Sequence, residues 1–418
     1  MGFASKELAD LAAKRLLRRM RVVSRVRGAR VTIDGREHIS FASNDYLGLS
    51  QNPAPRQAIC DALESDGFFG AGASRLISGT TDRHVALEKA LASFKEAQSA
   101  LLFSSGYAAN LGVVTSLADA DTFIAADERN HASLIDACKL SRAQVHVYEH
   151  CDHAAASRAL CNARGFRRRL LITDGVFSMD GDIAPLKELA DAAKRNDAVF
   201  IVDDAHGTGV LGEHGRGSPE ALGVEKNVDI LVGTLSKALG CVGGFVCGAE
   251  ETITLIANRA RTLFYTTALP PAFCAAAITA LGLVRESGEL RTRLRSNVAL
   301  LRGHVAHRAP VSARESQDER GRAVGDGNRR DGAGEDVTRP KKGEEQASSS
   351  PIVPVVVGDE RRALEVAEGL MADGIFAPAI RPPTVPVGAC RIRVSVSALH
   401  TAEDIHALVS SFRRQGVI

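Results

Sequence analysis

Short runs of aliphatic and β-branched residues alternate along this chain with segments of helical periodicity. The runs at 100–103, 122–125, 170–173, 199–203, 228–233 and 244–247 are each typical of a buried strand. Between them apolar residues recur at helical spacing, as in 85–94 and in 185–195, which begins with a proline. Strands that alternate with helices predict an α/β fold with an open, mostly parallel sheet and helices on both faces.

Both ends of the chain add further predicted elements. Leucines and alanines at helical spacing predict an amphipathic helix from Lys6 to Arg21. Near the C-terminus, a strand at 352–357, a helix at 364–371 and a strand at 391–396 predict a small α/β lobe. Because single cores stop growing near about 250–300 residues, 418 residues indicate more than one domain. We expect an N-terminal segment at 1–50, a large domain at 51–286 and a small C-terminal domain at 287–418.

One stretch interrupts this pattern. Residues 309–350 are rich in Arg, Asp, Glu, Gly and Ser and poor in apolar residues. Such a segment cannot bury enough surface to offset the entropy of ordering it. We therefore expect a disordered insertion at about 311–350 within the C-terminal lobe.

Composition and charge narrow the function classes. A formal charge of +2 gives no reason to expect a nucleic-acid partner. The chain has no long apolar segment and no apolar leader, so we expect a cytoplasmic protein without a membrane partner. Its eight cysteines form no CxxC pair, which favours reduced thiols. A local group, His146, His150, Cys151 and His153, reads as a strand end and a turn, and we predict no metal site there.

The chemistry begins at Lys237, just beyond the apolar run 228–233. A lysine at the edge of a core has a lowered pKa and becomes a nucleophile towards an aldehyde, as a Schiff-base cofactor requires. The hydroxyls of Thr234 and Ser236 can hold a phosphate, and glycines at 240, 243 and 244 permit close backbone approach. Taken alone, the pattern also fits an ordinary lysine in a strand-to-loop turn.

Two other segments agree with such a cofactor. Asp203 ends a predicted strand and is followed by His206; a carboxylate there can keep a pyridine nitrogen protonated, although a helix cap or solvated turn is an alternative. Gly106 and Tyr107 open a helix after the strand at 100–103, where backbone N–H groups and the helix dipole favour phosphate.

Several longer strings carry a family resemblance. They are the segments 44–49 (NDYLGL), 70–75 (GAGASR), 174–182 (DGVFSMDGD) and 203–209 (DDAHGTG). With the lysine segment they resemble the pyridoxal-phosphate (PLP) enzymes of the aminotransferase-like fold type I, and among these the α-oxoamine synthases. The string 380–386 (IRPPTVP) is similar to the biotin-pathway branch of that family.

The resemblance implies a large PLP-binding domain, a small C-terminal lobe and a homodimer with shared active sites. It implies that Lys237, His131, Asp203 and His206 are catalytic, with His131 stacked on the cofactor ring. The implied cofactor-binding set is Gly106, Tyr107, His131, Ser178, Asp203, His206, Thr234, Ser236 and Lys237. The implied substrate-binding set is Arg18, His131, Thr384 and Arg393. The loop 67–79 and the turn 264–271 are implied to cross the dimer interface.

The implied reaction is a decarboxylative condensation of L-alanine with a pimeloyl thioester. Two alternatives stay open at this point. One is a sister α-oxoamine synthase that uses glycine or serine with another acyl-CoA. The other is a catalytically silent protein of the same fold that serves as a binding subunit, which the presence of Lys237 disfavours.

Overall fold

A computed structural model describes residues 2–14, 16–18, 20–286, 288–305 and 350–418 of the chain. The insertion expected at about 311–350 lies outside the described residues, apart from Ser350, which is buried. No helix in the described ranges is long and apolar enough to cross a membrane.

The strands and helices have the following bounds. The strands are β1 (Val23–Arg27), β2 (Arg30–Ile33), β3 (Arg36–Ser40), β4 (Ser99–Phe103), β5 (Thr122–Asp127), β6 (Gln144–Tyr148), β7 (Arg168–Asp174), β8 (Val199–Asp203), β9 (Ile230–Thr234), β10 (Gly244–Gly248), β11 (Ile352–Gly358), β12 (Ile375–Phe376), β13 (Ala379–Ile380) and β14 (Cys390–Ser395). The helices are α1 (Phe3–Ala13), α2 (Pro53–Asp66), α3 (Asp82–Phe94), α4 (Gly106–Leu117), α5 (Ala132–Leu140), α6 (His153–Asn162), α7 (Leu186–Arg195), α8 (Ser218–Leu222), α9 (Glu250–Arg259), α10 (Arg261–Phe264), α11 (Pro271–Glu286), α12 (Gly288–Val305), α13 (Glu360–Ala372) and α14 (Ala402–Arg414).

The central sheet has seven strands in the order β4-β10-β9-β8-β7-β5-β6. Strand β10 runs antiparallel to both of its neighbours, and the pairs from β9 to β6 are parallel. All six residues of β5 are buried, as expected for a strand covered on both faces. The predicted α/β class with a mostly parallel sheet is confirmed.

Helices cover both faces of this sheet, and strand alternation divides the core between them. Ile124 packs in a cluster with residues of α4, α5 and α9, whereas its neighbour Phe123 packs with residues of α6 and α7. Each buried strand therefore needs apolar residues at every position. This requirement explains why the strands read as unbroken apolar runs in the sequence.

Two smaller sheets flank the central one. Strand β12 pairs in parallel with β3, so that a C-terminal strand extends the N-terminal sheet. Strands β11, β14 and β13 form a second sheet, and α13 packs on it in a small α/β lobe. The domain boundaries at 50/51 and 286/287 stay a prediction.

The expected helix from Lys6 to Arg21 was wrong in its extent. Helix α1 ends at Ala13, and none of its residues is buried. The backbone N–H groups of Leu16 and Leu17 both donate to the carbonyl of Leu11, which breaks the i to i−4 ladder. Periodicity showed an apolar stripe, but no residue of this helix is buried against the described part of the chain, and packing supplies most helical stability.

The strand order brings the C-terminal ends of several strands to one edge of the central sheet. The C-terminal ends of β4, β5, β7, β8 and β9 share an edge of the sheet, with the first residue of β10 among them. In open α/β sheets ligands bind at this edge. The predicted site residues on these strands are therefore close in space.

Candidate active site

A chain of hydrogen bonds leads from Lys237 into the protein. Lys237 Nζ lies 2.9 Å from His206 Nε2, and His206 Nδ1 lies 2.7 Å from the hydroxyl of Tyr46. That hydroxyl donates to Asn44 Oδ1 at 3.1 Å. His206 and Tyr46 are buried, and so two of the four groups are shielded from solvent.

Burial determines the protonation of His206 and Tyr46 in this series of hydrogen bonds. Burial, followed by the charge of Lys237, holds the pKa of His206 well below its usual range, so the imidazole is neutral. Burial raises the pKa of Tyr46 to about 12, so the phenol keeps its proton. A neutral imidazole carries one proton, so one ring nitrogen of His206 donates and the other accepts in the contacts with Tyr46 and Lys237.

Lys237 has the electrostatic setting expected of a nucleophilic amine. Burial lowers its pKa from the ordinary value, while the carboxylates of Asp203 and Asp174 oppose the shift. Its Nζ lies within hydrogen-bond distance of His206 Nε2. The neutral imidazole can therefore orient the amine without adding a second positive charge beside it.

Asp203 and Asp174 lie side by side at the ends of β8 and β7. Asp203 accepts hydrogen bonds from Asn110 Nδ2 at 2.6 Å and from the backbone N–H of Ala205 at 2.9 Å. Burial, followed by the charge of Asp203, raises the pKa of Asp174 well above its usual range. The two carboxyl groups therefore lie close together at this edge, and the charge of Asp203 disfavours ionisation of Asp174.

The next residue along, Asp204, points the other way. Lys95 Nζ donates to its Oδ2 at 3.4 Å, and Ser218 donates to its Oδ1 through both N–H and hydroxyl. Both charged side chains of this pair are fully buried. Asp204 thus anchors the strand end on the far face, while Asp203 is presented to the site.

Backbone and hydroxyl donors surround the start of α4. Gly106 and Tyr107 are its first two residues, and their N–H groups have no partner within the helix. Thr234 Oγ1 lies 2.8 Å from Ser236 Oγ, and Ser236 is exposed. A Cβ on Gly244 would lie 2.5 Å from Gly106 N, so this close approach requires glycine. The arrangement provides several donors for a phosphate.

His131 forms the N-cap of α5, and part of the residue is exposed. Its backbone N–H donates to Asp174 Oδ2 at 2.7 Å, and its Nδ1 lies 2.7 Å from Ser133 Oγ. Partial burial lowers the pKa of His131, and the charge of Asp203 opposes this shift. The ring is held in place by its own turn.

Arg393 on β14 reaches the same region from the C-terminal lobe. It donates to the carbonyl of Ser178 at 2.5 Å, to Asn44 Oδ1 at 3.2 Å and to Ser395 Oγ at 2.6 Å. Among the described residues, no acidic side chain forms an ion pair with this buried guanidinium. A buried charge without a counter-ion is costly, and it favours an anionic ligand.

Three further residues predicted for the site are Arg18, Thr384 and Ser178. Arg18 is exposed and, within the described part of the chain, forms no hydrogen bond or ion pair. Thr384 is exposed in a turn, where its N–H donates to the carbonyl of Arg381. Ser178 contributes its carbonyl to Arg393. The roles expected for these three residues stay predictions.

Sequence reasoning missed four polar residues of this network: Tyr46, Asn44, Asn110 and Asp174. Three of them were inside the strings 44–49 and 174–182, and so their types were visible. Asn110 lies one turn into α4, and its side chain contacts the carboxylate of Asp203 at the end of β8. What the sequence could not show was that Tyr46 contacts His206, 160 positions away.

The side chains present fit PLP. The partly buried amine of Lys237 can bind its aldehyde, and Asp203 can pair with a protonated ring nitrogen. The ring of His131 can stack on the cofactor ring, and the start of α4 can bind its phosphate. No part of this set requires a second cofactor.

Comparisons with known proteins give the same picture. The family model for aminotransferase class I and II matches residues 36–319. A curated 8-amino-7-oxononanoate synthase from Pelobacter propionicus is 42% identical to this chain, over 99% of this chain and 98% of its own length. The synthase of the same name from Geobacter sulfurreducens is also 42% identical, over 98% of this chain and 97% of its own length.

Solved structures agree as well. A serine palmitoyltransferase from S. paucimobilis with a bound PLP–myriocin aldimine has a TM-score of 0.86 and 30% identity, covering 100% of both chains. An 8-amino-7-oxononanoate synthase from Francisella tularensis has a TM-score of 0.69 and 28% identity, covering 91% of this chain and 98% of its own. The chain therefore belongs to the aminotransferase class I and II family and, within it, to the 8-amino-7-oxononanoate synthases.

Proposed function

We propose that this protein is a PLP-dependent acyltransferase that condenses L-alanine with a pimeloyl thioester in biotin biosynthesis. The products are 8-amino-7-oxononanoate, carbon dioxide and the free thiol carrier, which is coenzyme A or a carrier protein. The full-length similarity to synthases of that name supports the proposal. The observation that carries it is Arg393, a buried cation without an acidic partner among the described residues, joined through Asn44 and Tyr46 to the Lys237–His206 pair.

Lys237 anchors the cofactor and then acts as the base. PLP, when bound, supplies an electron sink that takes up the charge released at the α-carbon of the amino acid. Once the substrate amine replaces it, Lys237 is free to remove the α-proton, because burial favours its neutral form. His206 Nε2 lies 2.9 Å from this amine and orients it.

Asp203 and His131 position the ring. Asp203 lies at the end of β8, where a carboxylate can pair with the ring nitrogen and keep it protonated, which the electron sink requires. Asn110 and the N–H of Ala205 hold its two oxygens in place. His131 stacks on the ring face, and Ser178 lies on the turn beyond β7, next to Arg393.

Arg393 holds the carboxylate of the amino acid. Hydrogen bonds to Ser178, Asn44 and Ser395 hold its guanidinium group in place, so the side chain loses little conformational entropy when the carboxylate binds. Thr384 and Arg18 serve the acyl side. The eight free cysteines are compatible with a reducing, cytoplasmic location.

A sister activity is the strongest rival. The serine palmitoyltransferase structure matches the whole chain at 30% identity, so an amino acid other than alanine is a specific alternative. A catalytically silent subunit is the second rival. It would not need an amine whose pKa is lowered beside a neutral histidine, and the Lys237–His206 contact therefore argues against it.

The proposal predicts alanine-dependent release of thiol. PLP-loaded protein with pimeloyl-CoA should release coenzyme A and carbon dioxide with L-alanine, and neither with glycine or serine. Thiol titration and mass spectrometry of the amino ketone check this. Release only with glycine or serine would place the protein with the sister synthases, and no release with pimeloyl-CoA or pimeloyl-carrier protein would contradict the proposal.

The pKa of Lys237 predicts how the cofactor is captured. Cofactor-free protein should form its borohydride-trappable link to PLP at a rate that rises with pH, with a midpoint below the ordinary lysine value of 10.5. The sign follows because burial disfavours the charged amine, so the neutral nucleophile appears at lower pH. Peptide mapping after reduction locates the link.

Lys237→Ala is the control for this measurement, since it should form no link and lose turnover by several orders of magnitude. A midpoint at or above the ordinary value, or a trapped link at another lysine, would contradict the assignment.

Arg393 should determine the affinity for the amino acid. Arg393→Lys keeps the charge but loses the fork, which costs about 1.5–3 kcal/mol of carboxylate binding, or roughly a 10–100-fold rise in KM for alanine. Steady-state kinetics at saturating pimeloyl-CoA measure this, and PLP content should be unchanged.

Arg413→Lys, on the outer face of α14, is the matched control and should leave KM unaltered. An unchanged KM in Arg393→Lys would remove Arg393 from the substrate site.

A homodimer completes the proposal. The loop 67–79 and the turn 264–271 are joined by the hydrogen bond from Ala268 N–H to Ala73 O and by the bridge between Ser74 and Thr267. Large apolar side chains on this pair of segments are exposed in the single chain, namely Phe68, Phe69, Leu76, Ile77 and Tyr265. Such a patch marks a protein interface.

Ile77→Glu should therefore dissociate the dimer. Ile77 is 78% exposed in the single chain, and a charge at a buried interface position is unfavourable. Light scattering on the native protein should give twice the chain mass, and half of that for the variant. Val387→Glu, at a residue 90% exposed in the turn between β13 and β14, is the control that should stay dimeric. A native mass of one chain would contradict the dimer.

A further inference from the structure

His150 lies between two carboxylates that come from different segments of the chain. Its Nδ1 lies 3.0 Å from Asp127 Oδ1, at the end of β5, and its Nε2 lies 2.5 Å from Asp182 Oδ2, in the turn after β7. The side chain of Asp127 is fully buried, and that of His150 is 13% exposed. The imidazole therefore joins the end of β5 to this turn through a largely buried contact.

Both contacts require a proton on the ring of His150. An ionised carboxylate only accepts hydrogen bonds, so an imidazole that meets a carboxylate at each nitrogen donates from both and carries a positive charge. Burial lowers the pKa of His150, but the hydrogen bonds with Asp127 and Asp182 outweigh this effect and raise the pKa to about 11. At neutral pH the ring thus forms two charge-assisted hydrogen bonds, which are stronger than neutral ones.

The turn after β7 is also held together by its own backbone. The N–H of Phe177 donates to the carbonyl of Asp182 at 3.0 Å, and the N–H of Gly181 donates to the carbonyl of Phe177 at 2.8 Å. The ring of Phe177 meets the ring of His150 edge-on, with centroids 4.4 Å apart. Because the two ends of the turn are bonded to each other, holding Asp182 in place also holds the residues between Phe177 and Asp182.

The residues between these two carry the contacts to the C-terminal lobe. The carbonyl of Ser178 accepts a hydrogen bond from Arg393 Nε at 2.5 Å, and Asp180 forms an ion pair with Arg391. Both arginines lie on β14. The turn that His150 holds on one side therefore orients, on its other side, the guanidinium group proposed to bind the amino-acid carboxylate.

We propose that His150 is a positioning residue for recognition of the amino-acid carboxylate: held between Asp127 and Asp182, it fixes the turn whose Ser178 carbonyl orients Arg393. The inference rests on the proposed function, in which Arg393 binds that carboxylate. Both ring nitrogens of His150 are engaged by carboxylates, so the residue acts through the turn and not as an acid or base on the substrate.

The test compares two ligands that differ in the carboxylate. PLP-loaded protein without an acyl donor is titrated with L-alanine and with L-alaninamide, and the absorbance of the cofactor gives each Kd. The wild type should prefer alanine. His150→Gln, which cannot donate to both carboxylates, should raise the Kd for alanine about 3–10-fold and leave the Kd for alaninamide within about twofold. The effect should be smaller than that of Arg393→Lys, because Asn44 and Ser395 still hold the guanidinium group.

Steady-state kinetics provide a second measurement. In His150→Gln the KM for alanine should rise, whereas kcat, the KM for pimeloyl-CoA and the PLP content should not change. Asp182→Asn is a milder variant, since its side chain is 38% exposed and keeps its size, and it should lower the preference for alanine in the same way. It decides the question if His150→Gln does not fold.

His153→Gln, at an exposed histidine at the start of α6, is the matched control and should bind both ligands as the wild type does. The inference is overturned if His150→Gln and Asp182→Asn keep the wild-type preference for alanine. It is also overturned if they lose affinity for both ligands equally, as a general loss of structure would cause. A wild type without the preference, or an Arg393→Lys variant that keeps it, would overturn the proposed role of Arg393 and this inference with it.

Discussion

The contact between Lys237 and His206 depends on a balance of buried charge. Burial lowers the pKa of both groups, and the lysine remains available as a base only because the histidine beside it is neutral. Asp203 and Asp174 oppose the shift of the lysine pKa, while burial and the charge of Asp203 raise the pKa of Asp174. The two acids at this edge therefore act on the amine and on each other.

The fold supplies this balance through strand alternation at the end of β8. Asp203 and Asp204 are adjacent in sequence. Because successive side chains of a strand point to opposite faces, the two carboxylates have different partners. Asp204 is paired with Lys95 and Ser218 on the far face, so that the end of the strand is fixed. Removing one partner of such a buried pair costs about 3–5 kcal/mol. The position of Asp203 thus depends on an ion pair that never contacts the cofactor.

The sequence predicted the parts of this arrangement that are local. Buried parallel strands are unbroken apolar runs, so the central sheet, Lys237 and Asp203 could be placed at its carboxyl edge. The network around them could not be placed, since Tyr46 and Arg393 come from segments with no periodic signal linking them to His206. The length of α1 was missed for a related reason: an apolar stripe predicts a helix, but its extent depends on a partner surface.

The cluster around His150 shows the same limit on local reasoning. Proximity in sequence grouped His146 and His153 with His150 and Cys151, but both of these histidines are exposed. The groups that contact the two ring nitrogens of His150 are Asp127, from the end of β5, and Asp182, from the turn after β7. Neighbouring parallel strands bring their polar ends together along one edge of the sheet, and so both Asp203 and the partners of His150 lie at that edge although they are far apart in sequence.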